Sequence, residues 1–398
     1  MRVAFTLIGG GKGTGGYNYL LNLLHVLCEH EASRIQPVLF LGTAVAADEA
    51  DSFEATAGLE IIRSPVVNRT RRSATLAKSL LLGVDADLQA LFRSQRIDVV
   101  FESAQFFGWR LGLPVVAWIP DFQHRHLRHM FTNGGYWRRE LGFQAEIAAG
   151  RTIMLSSEDA RHDCERFYPR TVGRTRAVRF AVPPGHPPSL AQARAVADGY
   201  GLPAHFLFMP NQFSKHKNHF LVLDALALLR SRGVDAVVVS SGKQLDERHP
   251  DYFAQFKARR DKLGLHSQLR MLGLIPYADL AALMRASAGL LNPSLFEGWS
   301  TTVEEAKSSG KRLILSDIPV HREQDPIDAI YFPAHDAAAL AEAMLRVQSD
   351  FQSEREATRK QVALENHGRQ VSAFAQRYIE IGRIVASRQA PGDGGERA

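Results

Sequence analysis

Short apolar runs alternate with longer amphipathic stretches along the whole 398-residue chain. The short runs are rich in Val, Ile, Leu and Phe and are bounded by Gly, Pro or Asp, which is typical of buried strands. Helix-period segments lie between them, and in residues 17–28 Leu20, Leu24, Leu27 and Cys28 share one face. This alternation predicts an α/β protein built from parallel sheets with helices on their faces.

The pattern predicts eleven strands, five before and six after a proline-rich segment. That segment, VPPGHPPSL at residues 182–190, has neither helical nor strand periodicity and is predicted to be an interdomain linker. Two doubly wound domains are therefore expected, at residues 1–185 and 186–370, followed by a helix at 371–388 and a disordered tail at 389–398. The predicted strands are 2–8, 37–41, 98–101, 115–118, 152–155, 206–209, 236–240, 269–272, 289–291, 312–315 and 329–332.

Composition supports two soluble domains. The chain is 45% hydrophobic and 23% charged, contains no apolar run of about 18 residues, and shows no signal-peptide pattern. A cytoplasmic location follows as an expectation. The two cysteines, Cys28 and Cys164, are predicted to be buried free thiols. The net charge of +6 indicates attraction to an anion, whether nucleic acid, a membrane surface or a phosphorylated substrate.

The sequence SLFEGWSTTVEEAKSSGK follows a predicted strand and carries the strongest candidate chemistry. Glu297 falls in the loop, Glu305 falls eight positions later in the next helix, and Gly310 is a plausible end of that helix. Free N–H groups at the helix N-terminus can bind a phosphate, and the two carboxylates can accept hydrogen bonds from sugar hydroxyls. The alternative is structural: Thr301 and Glu304 match a capping box.

A basic loop, FSKHKN, follows the first strand of the second half. Lys215, His216 and Lys217 precede a helix that should begin near Asn218, at the carboxyl end of a strand where open parallel sheets bind ligands. These residues suit a diphosphate, although a solvated basic loop remains the alternative. Basic stretches elsewhere lack the aromatic platform of a nucleic-acid site, so no nucleic-acid partner is predicted.

These motifs together resemble the retaining glycosyltransferases of family 4, which have the GT-B fold of two facing Rossmann-like domains with a cleft between them. The resemblance rests on PSLFEGWSTTVEEAKSSGK, on MLGLIPYADLAALMRASAGLLNPS before it, on SSEDARHDCERFYP and on IPDFQHRHL. It implies that the first domain serves the acceptor, that the second binds a nucleotide sugar, and that the last helix packs back on the first domain.

The resemblance also implies residue roles. Glu297 would contact the donor sugar near the reacting carbon, Glu305 the ribose, and Lys217 the phosphates. The base would meet the loop of Gly273, Leu274 and Ile275. The distal phosphate would meet the amides of Gly298, Ser300, Thr301 and Thr302.

Two departures from the family pattern stand out. Gln212 occupies the usual place of an arginine, so either Lys215 substitutes or the diphosphate is less neutralised. In the first domain Pro120 follows the strand where many relatives have histidine, which leaves the sugar-contacting role to Asp121 or His124. Two metal hypotheses are rejected. The histidines at 124, 126 and 129 fit no single helix face, and Asp85-Ala-Asp87 lies in a helix-like segment where residues two apart point to different faces.

The opening GKGTGG, residues 11–16, matches the dinucleotide fingerprint G-x-G-x-x-G. The second strand, PVLFLG, ends at Gly42 with no acid to hold a ribose, and Lys12 is followed by glycine, so neither a dinucleotide fold nor a P-loop is predicted. Gly15 and Gly16 are instead expected to approach the donor sugar and its phosphate.

The implied activity is sugar transfer from a UDP-, GDP- or dTDP-linked donor to an acceptor hydroxyl, with retention and with neither metal nor cofactor. A hexose or deoxyhexose would pass to a glycan or lipid-linked acceptor in bacterial surface polysaccharide or glycolipid synthesis, with contact at the inner face of the plasma membrane. The alternatives are a nucleotide-sugar epimerase or hydrolase of the same architecture, or a non-catalytic protein that binds a nucleotide sugar or a membrane surface.

Overall fold

The computed structural model describes residues 1–8, 15–103, 105–182, 188–349 and 353–389. The chain folds into two compact units. The first unit comprises Met1–Phe122, Asn133–Ala181 and Gln370–Ala398, and the second comprises Gln123–Thr132 and Val182–Arg369. Each unit is built around its own parallel sheet.

The first unit contains a seven-stranded parallel sheet of order β3-β2-β1-β4-β5-β6-β7. Its strands are β1 (Arg2–Thr6), β2 (Gln36–Leu41), β3 (Glu60–Arg63), β4 (Val99–Ser103), β5 (Val115–Ile119), β6 (Thr152–Leu155) and β7 (Thr175–Ala177). The helices along this part of the chain are α1 (Gly15–His30), α2 (Ala47–Glu54), α3 (Arg72–Leu81), α4 (Ala86–Ser94), α5 (Gln123–His126, assigned to the second unit), α6 (Asn133–Ala148) and α7 (Glu158–Phe167).

The second unit contains a six-stranded parallel sheet of order β10-β9-β8-β11-β12-β13. Its strands are β8 (Leu207–Met209), β9 (Val238–Ser240), β10 (Leu269–Met271), β11 (Gly289–Asn292), β12 (Leu313–Ser316) and β13 (Ile330–Phe332). The helices along this part of the chain are α8 (Leu190–Gly199), α9 (His219–Ser231), α10 (Tyr252–Lys262), α11 (Tyr277–Ala286), α12 (Thr301–Ser308), α13 (Pro319–Gln324), α14 (Ala337–Ser349) and α15 (Ser353–Gln389). From Gln370 on, α15 belongs to the first unit.

Both sheets have the 3-2-1-4-5-6 strand order of a Rossmann domain, and the first sheet adds a seventh strand. The prediction of a doubly wound α/β fold with two Rossmann-like domains is confirmed. Apolar side chains cover both faces of the second sheet in two clusters, one with Phe213 and Leu226 and the other with Phe208 and Leu283. Burial on both faces explains why these strands are continuous apolar runs in the sequence.

All eleven predicted strands are present, and β3 and β7 are additional. The sequence of β3, EIIR, is only partly buried, and β7 has three residues, TRA, two of them partly buried. Strands with so little apolar content carry too weak a pattern to be recognised.

The apolar stripe of α1 is buried as expected. Cys28 at its end is only half-buried, so the predicted burial of this thiol is wrong. Cys164 is buried as predicted, and both thiols are free.

The last helix begins at Ser353, well before the predicted residue 371. Residues 353–370 are largely polar and have no apolar stripe that marks a helix start, although many are good helix formers. Its later part contributes Tyr378 to the first unit, where the ring packs on Phe5 and Phe101 at 5.9 and 5.5 Å between centroids. Gln389, the first residue of the predicted disordered tail at 389–398, is still helical. The rest of that tail and the central part of the linker lie outside the described residues. Within the described residues, no helix is long and apolar enough to cross a bilayer.

Candidate functional site

The strand order of the second sheet reverses between β8 and β11, which pair directly through Leu207 and Gly289. Ligands of open parallel sheets bind at such a reversal, beyond the carboxyl ends of the strands. The loops that follow these two strands, residues 210–218 and 293–300, are called here the switch-point loops. The Leu295 N–H donates to the His216 carbonyl at 2.8 Å, so the two loops form one surface.

Lys217 and Glu297 meet at the centre of this surface. The Lys217 Nζ lies 2.5 Å from the Glu297 Oε1, and the two side chains are 18% and 10% exposed. Burial alone would raise the pKa of Glu297, but the positive charge of Lys217, with a smaller contribution from His216, lowers it to about 2. The two residues predicted separately for phosphate and sugar therefore lie in contact as an ion pair.

Helix α12 begins beside Glu297. Ser300 caps the helix, because its Oγ accepts a hydrogen bond from the Val303 N–H. The suggested capping box of Thr301 and Glu304 is wrong by one residue: Thr301 is already helical, and the Glu304 carboxylate accepts hydrogen bonds from other side chains.

The predicted phosphate-binding amides are only partly available. The Ser300 N–H faces the Gln324 Oε1 at 3.4 Å, which is a long hydrogen bond. The N–H groups of Thr301 and Thr302 lie in the first turn of α12, where a helix offers them no backbone acceptor. Gly310 has φ +66° just after the end of α12, as predicted for a helix stop.

Glu305 lies in α12 and lines a cavity of about 780 Å³ together with Tyr277 of α11. Burial raises the pKa of Glu305 to about 7, although the Tyr277 hydroxyl lies 3.5 Å from its Oε1 and opposes the shift. The predicted base-binding loop precedes α11: Gly273 has φ +70°, Leu274 is 76% exposed, and Ile275 packs against the apolar cluster that includes Phe208. Tyr277, two residues after the exposed loop, thus brings that loop close to the ionisable Glu305 carboxylate.

Lys215 and Gln212 are both exposed. The Lys215 backbone N–H donates to the buried Asp246 carboxylate at 2.9 Å, which fixes the turn. Gly242 lies against the same loop, and a Cβ at this position would approach the Asn211 carbonyl oxygen to 2.7 Å. Sequence reasoning missed both Asp246 and Gly242, since neither belongs to a recognisable motif.

The segment Gln123–Thr132 belongs to the second unit and carries His124. His124 is fully buried near Phe131, and the His126 ring packs on Phe296 of a switch-point loop at 5.1 Å between centroids. Arg248 holds the segment, because its guanidinium lies over the Phe131 ring and its Nη1 donates to the Gln123 Oε1 at 2.9 Å. Asp121, the alternative to His124, belongs to the first unit and pairs with Arg139 at 2.7 Å.

Gly15 is the first residue of α1, and a Cβ there would meet no described atom within 4 Å. Packing against the described residues therefore does not require glycine at Gly15. Gly16 follows it in the helix, and residues 9–14 of the glycine loop lie outside the described residues.

Asp85 and Asp87 do not point to different faces of a helix, so that expectation is wrong. Asp85 precedes α4 and caps it, and Lys78 lies 3.4 Å from both carboxylates, which therefore share a side. The described residues contain no cluster of three or more His, Cys, Asp or Glu side chains arranged to hold a metal ion.

The second unit is similar to known proteins in sequence, and the whole chain is similar to solved structures in fold. Residues 202–363 match the family model of glycosyl transferases group 1. No curated protein sequence matches the chain. Similar solved structures include a glycosyltransferase from Rickettsia africae (TM-score 0.71, 13% identity, 96% of this chain and 98% of that chain) and Anabaena HepE in complex with UDP-glucose (0.69, 14%, 98% and 99%). The lipopolysaccharide outer core galactosyltransferase WaaB is also similar (0.60, 15%, 96% and 99%).

At these identities the solved structures show the fold, which they share over nearly the whole length of each chain. The predicted GT-B class is confirmed. The family model spans the switch-point loops, α11 and α12, so the site described above lies inside the matched stretch. The second unit is therefore similar, over residues 202–363, to the group 1 glycosyl transferases.

Proposed function

We propose that this protein is a retaining glycosyltransferase that moves a sugar from a nucleotide-sugar donor to an acceptor hydroxyl. The observation that carries the proposal is the ion pair of Lys217 and Glu297, beside the N-terminus of α12, at the strand-order reversal of the sheet. This site lies in the stretch that matches the group 1 glycosyl transferase model. A cation, a helix N-terminus and a carboxylate together suit the two parts of a sugar diphosphate.

In this proposal the diphosphate takes Lys217 away from Glu297. The ammonium and the first-turn amides of α12 bind the phosphate oxygens, and the released Glu297 carboxylate accepts hydrogen bonds from the sugar hydroxyls. Glu305 accepts from the ribose hydroxyls, and the base lies along Gly273, Leu274 and Ile275. Gly15 and Gly16, with Asp121 or His124, contact the sugar from their own segments. The ion pair keeps Glu297 ionised and in place until the donor arrives.

The chemical step exchanges one bond for another at the anomeric carbon. The bond from this carbon to the phosphate oxygen breaks, and the bond to the acceptor oxygen forms on the same face. The acceptor proton passes to the departing phosphate oxygen. Lys217 and the α12 amides stabilise the negative charge that develops on the leaving group, which is the usual role of preorganised donors. No metal ion or cofactor takes part in the proposed step.

The proposed donor is a UDP-, GDP- or dTDP-linked hexose or deoxyhexose, and the acceptor is a glycan or lipid-linked sugar of a bacterial surface polymer. HepE, which shares the fold, is solved with UDP-glucose, and WaaB is described as a lipopolysaccharide galactosyltransferase. These descriptions support testing UDP-sugars and lipid-linked acceptors first.

The test is a transfer assay with purified protein, labelled UDP-, GDP- and dTDP-sugars and lipid-linked acceptors from a bacterial membrane extract. We expect donor-dependent labelling of the acceptor, an unchanged rate with EDTA, and NMR of the product showing the donor's anomeric configuration. Inversion would refute the retaining mechanism. Donor consumption that is equally fast without acceptor would favour an epimerase or hydrolase instead.

A contact with the membrane belongs to the same proposal, and a surface of the first unit supports it. Leu81 and Leu82, at the end of α3, are 84% and 66% exposed. Gly83 follows these leucines, and the side chains of Trp109 and Arg110 pack over it. Trp109 and Arg110 are both exposed. Adjacent leucines, an indole and a guanidinium suit the boundary between anionic headgroups and acyl chains.

Vesicle sedimentation tests this surface. We expect the protein to bind phosphatidylcholine vesicles that contain about 30% phosphatidylglycerol in low salt, and we expect Leu81→Ser/Leu82→Ser to weaken binding. Leu274→Ser is the matched control, since Leu274 is an equally exposed leucine of the second unit. Equal binding by all three proteins would refute the assignment of this surface.

A further inference from the structure

Helix α13 presents two buried polar side chains one turn apart, His321 and Gln324. They are 0% and 2% exposed. Residues at positions i and i+3 lie on the same face of a helix. Buried polar groups are costly unless they make specific hydrogen bonds, so the partners of this face indicate what it does.

Gln324 holds the N-terminus of α12. Its Nε2 donates to the Ser300 carbonyl at 2.9 Å, and its Oε1 faces the Ser300 N–H at 3.4 Å. One side-chain amide thus binds both backbone groups of the capping residue. The same Nε2 donates to the Glu304 carboxylate at 2.8 Å, which extends the contact into the first turns of the helix.

His321 supports the other end of the switch-point loop 293–300, where Ser294 lies. Its Nδ1 is 2.9 Å from the Ser316 carbonyl oxygen, and because a carbonyl can only accept, Nδ1 carries the hydrogen. The Ser316 hydroxyl donates to the Ser294 carbonyl at 2.5 Å. The Ser294 hydroxyl in turn lies 2.6 Å from the Glu297 Oε1. A chain of contacts therefore runs from His321 to the Glu297 carboxylate.

The protonation state of His321 follows from its position. Burial lowers its pKa and outweighs the opposing effect of the Glu297 charge, so the ring is neutral at pH 7. With the hydrogen on Nδ1, the Nε2 is an acceptor, and within the described residues it has no hydrogen-bond partner. The neutral ring supports Ser316 without adding a second cation beside Lys217.

We infer that His321 and Gln324 are positioning residues of the donor site. Gln324 sets the direction of the α12 amides toward the diphosphate, and His321, through Ser316 and Ser294, sets the position of the Glu297 carboxylate. This inference rests on the proposed function and adds to it the element that supports both ends of the loop. Neither residue touches the donor in this account.

Gln324 is tested with Gln324→Glu, which keeps the shape but cannot donate to Ser300 or Glu304. We expect the donor KM to rise by about tenfold with kcat changed by less than about threefold, because a misdirected helix N-terminus weakens phosphate binding. Glu304→Gln is the control, with a KM near that of the wild type. In the double variant the new side-chain amide at position 304 can donate to the new carboxylate at position 324, so part of the lost affinity should return.

His321 is tested with two substitutions, His321→Asn and His321→Gln, whose side-chain amides differ in length. The nitrogen of His321→Asn can replace Nδ1 and still donate to Ser316, whereas His321→Gln places its nitrogen near Nε2. We expect His321→Asn to keep kcat within about threefold and His321→Gln to lower it by about tenfold, with little change in donor KM. Loss of equal size in both variants would indicate a merely structural role and would overturn this half of the inference.

The two proposals fail in different ways. Calorimetric titration of the wild type with UDP, GDP and dTDP, alongside the transfer assay, tests the proposed function. If the wild type binds none and transfers no sugar, the proposed function is wrong. If the wild type binds and transfers, but folded Gln324→Glu and His321→Gln have wild-type KM and kcat, the inference about α13 is wrong and the proposed function stands.

Discussion

The contact between Lys217 and Glu297 has a chemical consequence at the residue scale. In the ligand-free protein each charge neutralises the other, at a Nζ to Oε1 distance of 2.5 Å. A diphosphate must compete with Glu297 for the lysine. Removing the glutamate charge should therefore lower the rate of transfer without lowering the affinity for the diphosphate.

For Glu297→Gln we expect sugar transfer to fall by about 10²- to 10³-fold, the usual cost of losing one electrostatic contact to the reacting centre. Affinity for the nucleoside diphosphate should not fall, because the variant leaves Lys217 available to the phosphates. Kinetic assays and calorimetry measure the two effects separately. A variant that loses diphosphate affinity as strongly as transfer would show that Glu297 binds the phosphate region instead.

The raised pKa of Glu305 predicts that donor binding depends on pH. Its pKa of about 7 means that the carboxyl group is half protonated at neutral pH, and the ionised form accepts hydrogen bonds from hydroxyls more strongly than the protonated form. Donor affinity should rise between pH 6 and pH 8. The stability of the ligand-free protein should change in the opposite sense: a carboxyl with a raised folded pKa stabilises the fold below its unfolded pKa, and this contribution is lost as the pH rises through 7.

Calorimetry from pH 6 to pH 8 checks this prediction, and Glu305→Gln corrects for the titration of the ligand itself. The difference between wild type and variant should grow with pH. A constant difference would mean that Glu305 does not titrate in this range or does not bind the donor.

Individual site residues were predictable only where they belong to a motif. Glu297, Glu305 and Lys217 belong to recognisable segments and occur at the strand-order reversal. Asp246, His321 and Gln324 act through contacts between distant loops, and neither periodicity nor spacing indicates such contacts. The Thr301 cap was misplaced because Ser300 and Thr301 have the same capping chemistry and only the backbone geometry distinguishes them.

At the scale of the element, α12 is fixed at both ends. Gln324 binds its first residues, and Gly310 ends it against α15, where a Cβ would lie 2.6 Å from the Lys360 backbone. The phosphate-binding N-terminus therefore depends on how the helix ends as well as on how it begins.

For Gly310→Ala we expect a loss of more than about 1 kcal/mol in the free energy of unfolding, because the left-handed backbone and the close Lys360 contact both disfavour a methyl group. Gly142→Ala is the matched control. Gly142 lies inside α6 with no described atom within 4 Å of an added Cβ, so alanine should stabilise by up to about 1 kcal/mol. Urea unfolding measures both. Equal effects of the two substitutions would contradict the account of α12.

The element boundaries show what the hydrophobic pattern can establish. Strands of the second sheet were located to within two residues because they are apolar on both faces. The start of α15 was missed by 18 residues because its first turns carry no apolar stripe. Edge strands and polar helical turns are stabilised by tertiary neighbours, which the local pattern does not record.

At the scale of the whole molecule, the chain returns to the first unit through α15. Phe374 packs on Phe180 at 5.7 Å, and Tyr378 packs on Phe5 and Phe101. Both α15 residues are nearly fully buried. The first sheet therefore has part of its core supplied from the far end of the sequence.

Truncation after residue 369 should destabilise the first unit by several kcal/mol, since removing one buried aromatic side chain already costs about 3–5 kcal/mol. Limited proteolysis with mass spectrometry should then show rapid cleavage within residues 1–122. Truncation after residue 389 is the control and should leave the wild-type pattern. A 1–369 protein whose first unit resists protease as well as the wild type would contradict the role of α15.

The central claim is that the switch-point loops of the second unit bind the diphosphate of a nucleotide sugar. A thermal-shift screen with UDP, GDP, dTDP, ADP and their sugars tests it most directly, because a ligand that binds only the folded protein raises its melting temperature. We predict a shift with at least one nucleotide, loss of most of that shift in Lys217→Met, and a smaller loss in Lys215→Met. No shift with any of these ligands, or an undiminished shift in Lys217→Met, would contradict the account.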